Sequence, residues 1–125
     1  MDTLHFSVAK LFKAVELRGD SMSPNYNDGD WLLFRLLPAK SKSGLNPKAL
    51  VGKVVLIQRQ SQVGKDFLQV KRVNQISSKP NTGNKKEVWV EGDNKAKSTD
   101  SRSWGAIDSS EVIGKLILRY RRAKF

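Results

Sequence analysis

Two apolar runs joined by a short polar segment constrain this chain more than anything else in it. KVVLIQR, from Lys53 to Arg59, is β-branched and apolar, DFLQVKRVNQI runs from Asp66 to Ile76, and QSQVG turns the chain between them. Together they predict a β-hairpin. Period-2 geometry sets Phe67, Gln69, Lys71 and Val73 on one face of the second strand and Leu68, Val70 and Arg72 on the other. Lys71 thus shares a face with two apolar side chains. Other short runs have the same character: LFKAVELR at 11–18, ending at Gly19–Asp20, WLLFRLLP at 31–38, EVWV at 87–90 and VIGKLILRY at 112–120. Turn-forming residues crowd the stretches between them, at 24–30, 39–48, 77–86 and 92–105. Without an internal repeat or a strongly amphipathic helix, the pattern predicts a mostly β fold, a single domain of coiled antiparallel sheets or a partly closed β-barrel. WLLFRLLP reads as a buried strand, or in a sharper reading as an exposed apolar ledge that meets a membrane or a hydrophobic substrate.

A chain of 125 residues suits one domain, 1–125, with residues 1–10 expected to be mobile and 119–125 to form a basic tail. No run approaches the roughly 18 apolar residues of a membrane span, and the N-terminal stretch, with Asp2, Lys10 and Lys13, lacks the pattern of a secretory signal. A cytoplasmic location is the expectation. There is no cysteine and one histidine, His5, which excludes disulfides, thiol nucleophiles and zinc sites built on several histidines. Neither a metal nor a cofactor is expected. The net charge of +11 raises a rival from another class, a basic β-domain that binds nucleic acid. Such a module interleaves basic residues with exposed aromatics, whereas Trp31, Phe34 and Trp89 sit in apolar runs. No nucleic-acid partner is therefore expected.

The stretch VELRGDSMSPNYNDGD, Val15 to Asp30, carries Ser21 between a short apolar run and a turn, which should present it at a surface. A hydroxyl becomes nucleophilic when a neighbour takes its proton and donors receive the charge that develops on the substrate oxygen. With Cys absent and His nearly so, the available bases are lysines and carboxylates. A lysine accepts a proton only when neutral, a state that an apolar strand face favours by desolvation. Lys71 is the best-placed candidate.

Three segments, GDSMSP at 19–24, VKRV at 70–73 and EGDNKAKSTDSRSWGAI at 91–107, in that order resemble the boxes of the type I signal peptidases, serine proteases with a Ser–Lys dyad. The third is the most specific, and the resemblance spans about residues 15 to 118. It implies a signal-peptidase-like domain in which Ser21 is the nucleophile, Lys71 the general base and then acid, and Ser98 the hydroxyl that orients Lys71. It also implies a nucleophile loop shaped by Gly19, Asp20, Met22 and Pro24, a supporting loop at Gly92, Asp93 and Asn94, and an Asp100–Arg102 ion pair beside the site. The backbone amide of Ser21 would donate to the oxyanion; Gly19 brings no second hydroxyl. Asn25 departs from the usual Thr after the proline, and NQISSKP replaces the Gly-rich turn that commonly follows the lysine strand. No anchor precedes the serine, which likens the chain to the short soluble branch, the nickel-type superoxide dismutase maturation proteases. The substrate so implied is a precursor protein with an N-terminal propeptide. The alternative is a signal peptidase of exported preproteins, peripheral to the membrane through the WLLFRLLP ledge and basic tail. A self-cleaving SOS-type repressor domain is disfavoured by the GDN box and by the lack of an Ala-Gly or Cys-Gly site before Ser21.

Overall fold

The computed structural model describes residues 11–37, 47–60, 66–81, 83 and 85–123. The expected mobile segment 1–10 and most of the loop at 39–48 lie outside the described residues. Seven strands form one antiparallel sheet: β1 (Phe12–Glu16), β2 (Trp31–Leu36), β3 (Val54–Gln60), β4 (Asp66–Ser78), β5 (Lys86–Glu91), β6 (Ile107–Asp108) and β7 (Val112–Arg121). Their order across the sheet is β1-β2-β7-β3-β4-β5-β6, so the sheet is open, with β1 and β6 at its edges. Two short α-helices among the described residues, α1 (Pro47–Leu50) and α2 (Ser101–Trp104), sit in the connections.

The β3–β4 hairpin forms as its sequence predicts, with Val54 opposite Arg72 and Val55 opposite Lys71. β3 is buried on both faces, which is why VVLI is continuously apolar rather than alternating. Val55 and Ile57 join Val73, Val88, Val90 and Val112 in one core, while Val54 and Leu56 join Met22, Leu32, Phe34 and Val70 in the other. The candidate lysine strand is therefore wedged against the most buried strand of the molecule.

Of the two readings of WLLFRLLP the buried strand is the one observed: β2 lies between β1 and β7, and Leu32 and Phe34 are fully buried. One expectation is corrected. The basic tail does not begin at residue 119, because β7 continues to Arg121 and Arg119 lies opposite Leu32. Three features escaped the reading of the sequence altogether, the two-residue strand β6 and the helices α1 and α2, each too short to impose a period.

The loop between β1 and β2 is pinned at its base, where Leu17 N–H donates to the Asp30 carbonyl at 2.8 Å and Gly29 N–H to the Leu17 carbonyl at 2.7 Å. The Asp30 carboxylate, itself buried, then collects the Asn27 and Ala123 amides at 2.8 Å each and Arg119 Nη1 at 3.1 Å. Burial opposes its ionisation, but the two amides and the guanidinium outweigh burial and hold the carboxyl below its ordinary value. Arg119 Nη1 also donates to the Asn25 carbonyl at 2.8 Å. One buried acid thus fastens this loop to the last strand. Removing it strands Arg119 and two amides, so Asp30→Ala should lower stability by about 3 kcal/mol, read as a shift in the urea midpoint at unchanged m-value.

Candidate active site

Pairing between β4 and β5 starts at Arg72 opposite Glu91, leaving that side of Asp66–Lys71 without a partner strand. A groove of about 550 Å³ opens along this free edge, and its lining includes Leu17, Gly19 and Ser21 from the loop after β1 and Gln69, Val70 and Lys71 from β4. Ser21 and Lys71, fifty positions apart in the chain, line one groove.

Lys71 is only 4% exposed. Its Nζ lies 3.1 Å from Ser98 Oγ, and Ser98 Oγ donates to Asp100 Oδ2 at 2.7 Å. A carboxylate can only accept, so the Ser98 proton is committed to Asp100 and the Ser98 oxygen is left to accept from the amine. Fixing one N–H of a tetrahedral nitrogen in this way limits the lone pair to two directions once the amine is neutral. Burial pushes the Lys71 pKa down, the Asp100 charge pushes it back up, and Arg102 adds a smaller push downward; the net direction is down.

Asp100 is the hub of the supporting shell. Fully buried, it accepts from the Gly92 amide at 2.8 Å, from Ser98, and from the Arg102 amide and guanidinium at 3.0–3.1 Å, and it caps α2. Burial alone would raise its pKa. The Arg102 side chain, the Gly92 amide, the Ser98 hydroxyl and the Arg102 amide reverse that and hold the carboxyl far below the usual range. Asp100 is thus ionised across the neutral range, which keeps Ser98 oriented.

The turn Gly92–Asn94 joins these groups to the loop that carries Ser21. Asn94 N–H donates to the Ser21 carbonyl at 2.8 Å. Gly92 has no room for a side chain: a Cβ there would overlap Ser98 and come within 2.6 Å of the Ser21 carbonyl oxygen. Asp93 takes a bidentate pair from Arg72, 2.8 Å on each branch, and accepts from Asn25 Nδ2 at 2.9 Å. The Arg72 bond, partly offset by burial and aided by Asn25, lowers the Asp93 pKa. Within the Ser21 loop Met22 is fully buried, and Gly19, with φ +86°, gives its amide to Asp28 Oδ1 at 2.7 Å. Asp20 and Pro24 hold the turn through their carbonyls, which accept from the Ser23 amide and from Asn27 Nδ2.

Ser21 and Lys71 thus line one groove, and hydrogen bonds link Ser98, Asp100, Arg102, Gly92 and Asn94 to them from behind, with Asp93 in the same turn. Arg72, Asn25 and Asp30 were not singled out in the sequence. Arg72 adjoins Lys71, yet strand alternation turns it to the other face, and only the fold shows that it meets Asp93. Asn25 stood out solely as a departure from Thr.

No helix among the described residues is long and apolar enough to cross a membrane, and no cluster of His, Cys, Asp or Glu among them could hold a metal ion. Phe34 is buried, and Trp31 and Trp89 are half-buried.

What the fold and groove define is a mostly β domain whose cleft exposes an unpaired strand edge beside a hydroxyl and a sequestered amine, a setting suited to an extended peptide. Residues 74–121 match the family model described as signal peptidase, peptidase S26. The matched stretch holds Ser98, Asp100 and Arg102, while Ser21 and Lys71 precede it. The similarity supports a serine peptidase of the signal peptidase type, with protein as its substrate. No curated protein matches the chain.

Proposed function

We propose that the protein is a serine endopeptidase working through Ser21 and Lys71. The observation that carries this reading is the buried Lys71 amine, held by Ser98 and Asp100 in the groove that Ser21 also lines. A peptide adding to the free edge of β4 presents its scissile carbonyl to Ser21. Neutral Lys71 takes the hydroxyl proton as Ser21 Oγ bonds to the carbonyl carbon, and the Ser21 amide donates to the resulting oxyanion. The ammonium then gives its proton to the departing amine as the C–N bond breaks, leaving an acyl-enzyme. Water, deprotonated by Lys71, then bonds to the acyl carbon, and Lys71 returns the proton to Ser21 Oγ as the ester bond breaks, releasing the acid product.

Within this activity the substrate we assign is a cytoplasmic precursor carrying an N-terminal propeptide, that of a nickel-type superoxide dismutase being the first to test. The support is the likeness of GDSMSP, VKRV and the GDN box to the enzymes that perform such maturation. A signal peptidase acting on exported preproteins is the alternative, favoured by the description of the matching family.

Because Lys71 must lose its proton and its pKa lies below the ordinary lysine value, activity should climb with pH. The climb should reach its plateau below the pH at which a free lysine would titrate. The test is kcat/KM against pH on a fluorogenic casein and on the purified precursor. A profile that is flat, or that falls through this limb, would remove Lys71 as the base, and cleavage at the propeptide junction decides between the two substrates.

A further inference from the structure

Gln69 lies two residues before Lys71 on β4, opposite Ile57, and lines the same groove as Ser21. Its Oε1 is the only buried side-chain nitrogen or oxygen among the described residues that lacks a hydrogen-bond partner. A desolvated acceptor left unpaired costs about 1–3 kcal/mol, and each such atom in a folded protein calls for a reason. A leucine at this position would remove that cost. The neighbours Phe67 and Leu68, 40% and 39% exposed, line the same groove and leave apolar surface open along it. An orphan acceptor flanked by uncovered apolar side chains on an unpaired edge is what a recognition surface looks like before its ligand arrives.

The ligand's chemistry follows from the geometry. A peptide strand laid against Asp66–Lys71 uses its main-chain N–H groups on the main chain of β4. The Gln69 carboxamide is thereby left to the side chain of the peptide residue directly across, which shares its face of the sheet. That residue is two positions from the one facing Lys71, hence at a fixed distance from the scissile bond. Building on the peptidase reading, we infer that Gln69 sets substrate specificity by accepting a hydrogen bond from a donor-bearing side chain, Asn, Gln, Ser, Thr or Lys, at that one position.

The test is cleavage of a proteome-derived peptide library by the wild-type protein, by Gln69→Leu and by Gln69→Glu, with every cut site read by mass spectrometry. The wild type should enrich donor-bearing residues at a single fixed position. Gln69→Leu should lose that enrichment and cut the best donor-bearing peptide about 10-fold less efficiently, with its Ala counterpart changed less than about 2-fold. Gln69→Glu, which keeps an acceptor, should retain the enrichment and shift it toward Lys, guarding against a Leu variant that merely misfolds. Equal residue frequencies in all three proteins, or no enriched position in an active wild type, would overturn the role of Gln69 and leave the peptidase intact. A folded wild type that cuts nothing in the library overturns the peptidase itself.

Discussion

A Lys71→Met protein should fold, melt above the wild type and cleave nothing. The two halves of this result share one cause. The amine is nearly sealed from solvent and its pKa is depressed first of all by burial. The folded chain carries that proton at a greater cost than the unfolded chain does. A cation whose folded pKa lies below its unfolded value disfavours folding fully below the folded pKa, and the handicap disappears as pH rises toward the unfolded value of about 10.4. Methionine fills the same volume without charge, so the variant should gain about 1–4 kcal/mol near pH 7, the range seen when buried ionic groups give way to apolar ones. The gain should shrink as the pH is raised. Cleavage should fall by at least about 10³-fold, since Lys71 is the buried amine that Ser98 holds in the groove, and Ser21→Ala should fall as far. Thermal melts at several pH values, paired with casein cleavage, check both halves. A variant that still cleaves ends the dyad; one that is inactive but less stable shows Lys71 to be a structural residue.

The second large effect is expected at a residue with no side chain. Gly92 does not sit in the left-handed region, so alanine is conformationally permitted there and any damage must be steric. A methyl group would displace Ser98, which holds the amine, and press on the carbonyl of Ser21, which follows the nucleophile's own backbone. Gly92→Ala should lower kcat/KM about 10²-fold, the usual consequence of shifting a reacting group by about 1 Å, and cost about 1–3 kcal/mol in stability. Ala substitution at Gly105 provides the contrast: no heavy atom lies within 4 Å of a Cβ there, but φ is +85°. That variant should lose stability through backbone strain while cleaving at the wild-type rate when folded. Steady-state kinetics below the melting range separates the two, and a Gly92→Ala protein with wild-type kinetics would show that the contact relaxes without moving the site.

Legibility in the sequence divides along physical lines. The β3–β4 hairpin could be read because its cues are local: branched residues, a turn between, and alternation that turns Lys71 away from Leu68, Val70 and Arg72. Ser98, Asp100 and Arg102 could be nominated from the spacing within a single box. What could not be read were contacts between distant segments. Asp30 looked like one more turn residue in NDGD, yet its partners are Arg119 and Ala123, 89 and 93 positions away. The C-terminal basic cluster looked like solvated charge because nothing in RYRRAK announces that its first arginine meets a buried acid. WLLFRLLP was open to two readings because apolar runs look alike whether a neighbouring strand covers them or not; β1 and β7 decide that, and both lie elsewhere in the chain.

That same acid has a consequence for the order in which the molecule is assembled. The loop bearing Ser21 is synthesised before β7, so Asp30 and the Asn25 carbonyl wait for Arg119, and Asp30 also for the amide of Ala123. Contacts so far apart in sequence form late. A nascent chain that has not yet released β7 therefore carries Ser21 on an unfastened loop, and the groove takes its shape only once that strand has been laid in place.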